Sequence, residues 1–144
     1  MFTFYDINDL LLLHLARILP SIDVPILVAE GKLKRHVAQV IMRVKDIQQK
    51  GLVNIISLDD PGFDFVLTNR KQYRAAGSSV LEMFYMCKTN HATIVVDQDE
   101  TMIRDLANTF GINVCTLDEF NLATVNNQEY FQFINEMKKE RMNQ

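Results

Sequence analysis

The chain has 144 residues, 48% of them hydrophobic and 23% charged, which is the size and make-up of one globular domain able to bury a core. These values exclude disorder, collagen-like repeats and low complexity, and no apolar run approaches the ~20 residues that a membrane-crossing helix needs. A formal net charge of −3 argues against a general DNA-coating protein.

The first six residues carry no basic region and no small-residue cleavage site, so no signal peptide is expected. Cys87 and Cys115 form neither a CxxC pair nor a zinc pattern and suit buried thiols of a reduced, cytoplasmic protein. The expectation is one domain over 1–144, with a core over about 2–120 and a C-terminal helix over about 127–141.

In chain order, residues 2–5 are a short aromatic strand ending at Asp6. Asn8 or Asp9 caps a helix reaching about Leu19, stopped by Pro20 and apolar nearly all round, so it is buried or paired with a partner. Residues 22–28 read as extended, with Pro25 weakening them as a central strand. After Gly31, the apolar positions Leu33, Val37, Val40, Ile41, Val44 and Ile47 form one helical stripe, and Gly51 supplies a left-handed stop. Residues 53–57 are a strand, 59–62 a turn, and 63–67 a further strand leading into a polar, basic stretch over 68–76. Ser79 and Glu82 have capping-box spacing and open a helix to about Thr89. A strand over 93–96 delivers Asp97. Asp99 or Thr101 opens a helix stopped by Gly111, residues 114–116 form a last strand, and Phe131, Ile134 and Met137 keep helical spacing near the end. Strands separated by helices of this length predict an α/β fold with a mostly parallel sheet and helices on both faces, three layers in all.

Charge is unevenly spread. Residues 32–74 hold nine Lys/Arg against four Asp, a local +5, while the remainder holds six positive and fourteen negative groups, a balance of −8. Such segregation fits an acidic site beside a basic track, as a metal-dependent nuclease needs, and the simpler reading is that the helices have solvated basic faces. The glycines form neither GxGxxG nor a P-loop, and HExxH and GxSxG are absent. His14, His36 and His91 are scattered and read as structural or solvated.

What remains is acids at strand ends. Asp6 closes the first strand and Asp97, with Asp99 two residues on, closes the late strand over 93–96. In an open parallel sheet, ligands bind outside the carboxyl ends of strands where strand order reverses. Acids gathered there repel one another unless a hard cation such as Mg²⁺ sits between them. Equally, Asp6 and Asp99 merely cap the helices that follow.

The run Tyr5-Asp6-Ile7-Asn8-Asp9-Leu10 resembles the opening of PIN domains, and residues 95–107 with 111–116 are similar to that family's C-terminal half. The resemblance spans about residues 2–120 and implies a three-layer PIN-like fold and an Mg²⁺- or Mn²⁺-dependent endoribonuclease, in many members a toxin held by an antitoxin. It carries the family's acidic site onto Asp6, Glu82, Asp97 and Asp99 as catalytic and metal-binding residues. Glu30 is either a further acid of that set or an ordinary exposed residue, and Glu82 is either a ligand or only the capping partner of Ser79. One or two metals would activate water and stabilise the charge developing on the phosphorane. Lys34, Arg35, Arg70, Lys71 and Arg74 are the candidate RNA-backbone contacts, and Tyr73 either stacks on an unpaired base or is a half-buried surface aromatic. Gly77-Ser78-Ser79 departs from the Gly-Glu that the family often has, which keeps open a catalytically inactive PIN-like domain that binds RNA or protein. The apolar first helix and the C-terminal helix also suit a homodimer or an antitoxin contact.

Overall fold

The computed structural model describes residues 1–97, 100–124 and 128–142. Five strands, β1 (Phe2–Phe4), β2 (Ile26–Ala29), β3 (Asn54–Ile56), β4 (Thr93–Val96) and β5 (Val114–Thr116), form one sheet in the order β3-β2-β1-β4-β5. Every pairing is parallel, so the expected α/β architecture is present and the sheet is more uniform than "mostly parallel". The chain winds outward from β1 to β3, then returns to β4 on the other side of β1. Strand order therefore reverses between β1 and β4.

Because side chains alternate across a strand, each strand feeds two cores. Phe4, Ile26, Val28 and Val95 enter one with α1 (Ile7–Leu15), α3 (Ala38–Gln49) and α7 (Leu117–Thr124). In it Phe120 stands edge-on to Phe2 and Phe4 at centroid distances of 5.0 and 5.1 Å. Leu27, Ala29, Ile94 and Val96 enter the other with α4 (Asp60–Arg70), α5 (Gly77–Asn90) and α6 (Thr101–Thr109). The apolar first helix is thus satisfied inside the fold, with Leu10 and Leu13 wholly buried.

Several elements differ from the sequence reading. Asp6 caps α1 by accepting the Asn8 N–H at 2.9 Å, which is its capping alternative and displaces Asn8 and Asp9 as caps, and the helix ends at Leu15 because Arg17 turns left-handed at φ 60°. Strand β2 starts just after Pro25, so the proline is spared a ladder bond it has no N–H to make. The long stripe after Gly31 is two helices, α2 (Glu30–Leu33) and α3, split where Val37 is extended and exposed. Residues 59–67 are not a turn and a strand but the start of α4. Asp59 accepts the Gly62 N–H at 2.8 Å and Pro61 occupies the first turn, where its missing N–H costs nothing. Helix α5 begins at Gly77 rather than Ser79, and Glu82 is not its capping partner. Gly51 and Gly111 are the left-handed stops expected, at φ 76° and 72°. Helix α7 had no counterpart in the sequence reading. The C-terminal helix, α8, covers Gln128–Met142; Met137 is half-buried, and the side chains of Phe131 and Ile134 lie outside the described ones. Among the described residues no helix is long and apolar enough to cross a membrane.

Candidate functional site

The reversal between β1 and β4 sets the site. Their register pairs Phe2 with Thr93 and Phe4 with Val95, and the Tyr5 N–H continues the ladder to the Val95 carbonyl at 2.9 Å. Asp6 and Asp97 therefore leave neighbouring strands at the same carboxyl edge. Asp9, one turn into α1, lies beneath them with 1% of its side chain exposed. Burial pushes its carboxyl up to about 6, Asp97 and Asp6 add to the rise, and Lys138 and Arg141 oppose it.

Both cations come from α8. Arg141 Nη2 donates to Asp9 Oδ1 at 3.1 Å, and Lys138 Nζ stands 3.8 Å from the same oxygen. The Lys138 ammonium also contacts Asp97 directly. A third cation, Lys32 of α2, lies 4.1 Å over the Tyr5 ring. Burial holds its amine down at about 8, with Asp6 and Glu100 pulling it back up.

Glu82 belongs to a different group. Its carboxylate accepts the Gly31 N–H at 3.1 Å, and burial raises its pKa against that bond. Opposite it, Glu30 accepts from Ser57 Oγ at 2.7 Å and pairs with Lys34 at 2.7 Å, which together hold its carboxyl below the usual range. A Cβ on residue 31 would fall 1.7 Å from Glu82 Oε2, so glycine there is what lets the carboxylate reach the backbone. A small cleft of about 60 Å³ lined by Ser57, Asp59, Glu82 and Tyr85 adjoins this pair.

Of the four acids expected to converge, Asp6 and Asp97 share an edge, Glu82 accepts from Gly31 and is repelled by Glu30, and Asp99 lies outside the described residues. Among the described residues no three His, Cys, Asp or Glu side chains form a metal-ligand group. Of the expected RNA contacts, Arg35, Arg70, Lys71 and Arg74 are exposed, while Lys34 is exposed but paired with Glu30. Tyr73 packs on Phe110 at 5.0 Å, the half-buried alternative. The sequence reading named Asp9 only as a cap and part of a motif and counted Lys32 only as a charge, and it gave Lys138 and Arg141 no role at a site. The available signal was Asp9 itself, an acid among Leu10, Leu12 and Leu13.

No protein-family model matches the chain, and neither the curated proteins nor the solved structures contain a significant match to it.

Proposed function

We propose that the chain is a PIN-like, metal-dependent endoribonuclease that hydrolyses RNA phosphodiesters at the carboxyl edge of β1 and β4. The observation that carries this reading is the placement of Asp6 and Asp97 on adjacent strand ends where the strand order reverses. Their donors are hard oxygens of the kind Mg²⁺ or Mn²⁺ takes, and this edge already draws a cation, the Lys138 ammonium on Asp97. Asp6 and Asp97 would hold the metal, Asp99 is the further acid that the sequence offers, and Glu82 would join only by leaving Gly31. A divalent ion there supplies Lewis-acid stabilisation of the charge that develops on the phosphate. Lys32, whose ammonium lies over the Tyr5 ring, would meet a phosphate oxygen. Arg35, Arg70, Lys71 and Arg74 would hold the RNA backbone without reading sequence. A toxin-type member of this class would have an antitoxin protein as partner.

A second reading, a PIN-like domain that binds RNA or protein without cleaving, is favoured by one observation: Lys138 and Arg141 already neutralise Asp97 and Asp9 within the chain. Asp6→Asn separates the two. Asparagine caps a helix about as well as aspartate, so α1 and overall stability should persist. The nuclease reading expects Mn²⁺ binding by calorimetry and cleavage of RNA, both lost in Asp6→Asn. Wild-type protein that binds RNA but shows neither Mn²⁺ binding nor cleavage would establish the binding module instead.

A further inference from the structure

Helix α4 leaves one side uncovered. It packs chiefly on α5, with Gly62 and Val66 buried, and its opposite side carries Phe63 and Leu67, one turn apart and 55% and 60% exposed. The helical turn carries on past Arg70, with the Tyr73 N–H on the Asn69 carbonyl at 3.0 Å, so positions seven apart stay aligned as far as Arg74. Asp60, Leu67 and Arg74 form the middle of this side, Asp64 and Lys71 one flank, and Phe63 and Arg70 the other; all are exposed. Among the described residues none of these charges has an ion-pair partner. Acids come first along the ridge and bases last. That order suits the helix dipole, but it also sets like charges four apart, Asp60 with Asp64 and Arg70 with Arg74, which an isolated helix disfavours. An RNA strand laid along the ridge would meet those two acids as well as the bases.

We infer that this side of α4 binds the same side of a second copy of the chain, antiparallel about a two-fold axis at Leu67. A two-fold interface sets one patch against itself, so the second copy presents the same ridge in reverse order. Asp64 then meets Lys71 of the second copy on one flank. On the other, Phe63 meets Arg70 of the second copy, whose guanidinium lies on the ring. Asp60 meets Arg74 of the second copy, and the two Leu67 side chains touch at the axis. A parallel copy would set acid against acid, and a polyanion would leave both acids opposed. The inference goes beyond the nuclease reading and depends on neither metal nor RNA, although a dimer and an RNA strand would compete for Arg70, Lys71 and Arg74. A single helix pair covers less than the roughly 1,600 Å² of a standard interface, so the dimer should be weak, dissociating in the micromolar range.

The test is sedimentation of the full chain from micromolar to millimolar concentration, with Asp64→Lys, Lys71→Asp, Leu67→Asp and an equimolar mixture of the first two variants beside the wild type. The substituted positions are exposed, and thermal melts check that each variant folds. The wild type should form a concentration-dependent dimer. Asp64→Lys or Lys71→Asp alone sets like charges together twice and should raise the dissociation constant by roughly tenfold or more. Leu67→Asp should leave only monomer; should it not fold, the two flank variants decide. Their mixture should recover a heterodimer about as tight as the wild-type dimer, because acid again faces base on that flank. A wild type that stays monomeric throughout overturns the inference, and if Lys71→Asp then weakens and Asp64→Lys tightens binding of a single-stranded RNA, the ridge is a nucleic-acid surface instead. A dimer that none of the variants disturbs lies on another face and also overturns it. Variants that dissociate without recovering in the mixture exclude the antiparallel pairing.

Discussion

Asp9 gives the site a pH signature. Its carboxyl sits at about 6 in the fold against 3.8 for the free side chain, so between those values the native state binds more protons than the unfolded one. Stability from this group therefore falls as pH rises from about 4 to 6, by roughly 3 kcal/mol in all. Below the window the cost of burying the charge vanishes, and above it the cost is complete. Urea titrations across pH 4–7 should show this slope, and Asp9→Asn should flatten it. At Gly31 the expectation is a coupling. Gly31→Ala forces the Glu82 carboxylate off the backbone N–H, for a loss of about 1 kcal/mol. Because the obstacle is the far end of a flexible side chain, Gly31→Ala should cost little more in a Glu82→Ala background. Additive losses in the double variant would mean that residue 31 is constrained by something other than Glu82. Asp6 and Asp97 were legible from sequence as acids closing apolar strands. The ionic partners of Asp9 were not, since they lie more than 120 positions away and no local pattern connects them.

Local chemistry explains which elements were readable. Strand β4 and strand β5 stand where their apolar runs place them, because β-branched residues bounded by breakers leave few alternatives. Residues 63–67 read as a strand from their apolar content, yet Asp59 and Pro61 upstream commit them to α4, leaving Phe63 and Leu67 on the exposed side. Removing that commitment should be visible: Asp59→Ala is expected to lower stability by about 1 kcal/mol in thermal melts, and Asp59→Asn to restore most of it. Helix α7 was marked by Thr116 and Glu119, which form a reciprocal capping box: each backbone N–H donates to the other's side chain at 3.1 Å. The same spacing at Ser79 and Glu82 misleads, because Glu82 turns across to Gly31. Spacing alone cannot distinguish a carboxylate used for its own helix from one recruited by a neighbour.

At the scale of the molecule, alternation along the strands divides the apolar side chains between two faces, so the layered fold followed from the order of strands and helices. Strand order did not follow, because it depends on which helix covers which face. The two thiols report on the intact fold: burial raises Cys87 to about 12 and Cys115 to about 11. At pH 8 a thiol reagent should label neither at an appreciable rate until the chain unfolds, then both together; rapid native-state labelling of Cys115 would show that the β5 edge opens locally. The pairing of Asp9 with Arg141 has a consequence for synthesis. The first helix emerges from the ribosome long before the residues that neutralise its buried acid, so Asp9 must remain hydrated, or protonated, while the sheet assembles around it. An elongating chain thus carries Asp9 without its counter-charges until α8 has been made, and a chain that stops before Lys138 would keep that acid without either cation.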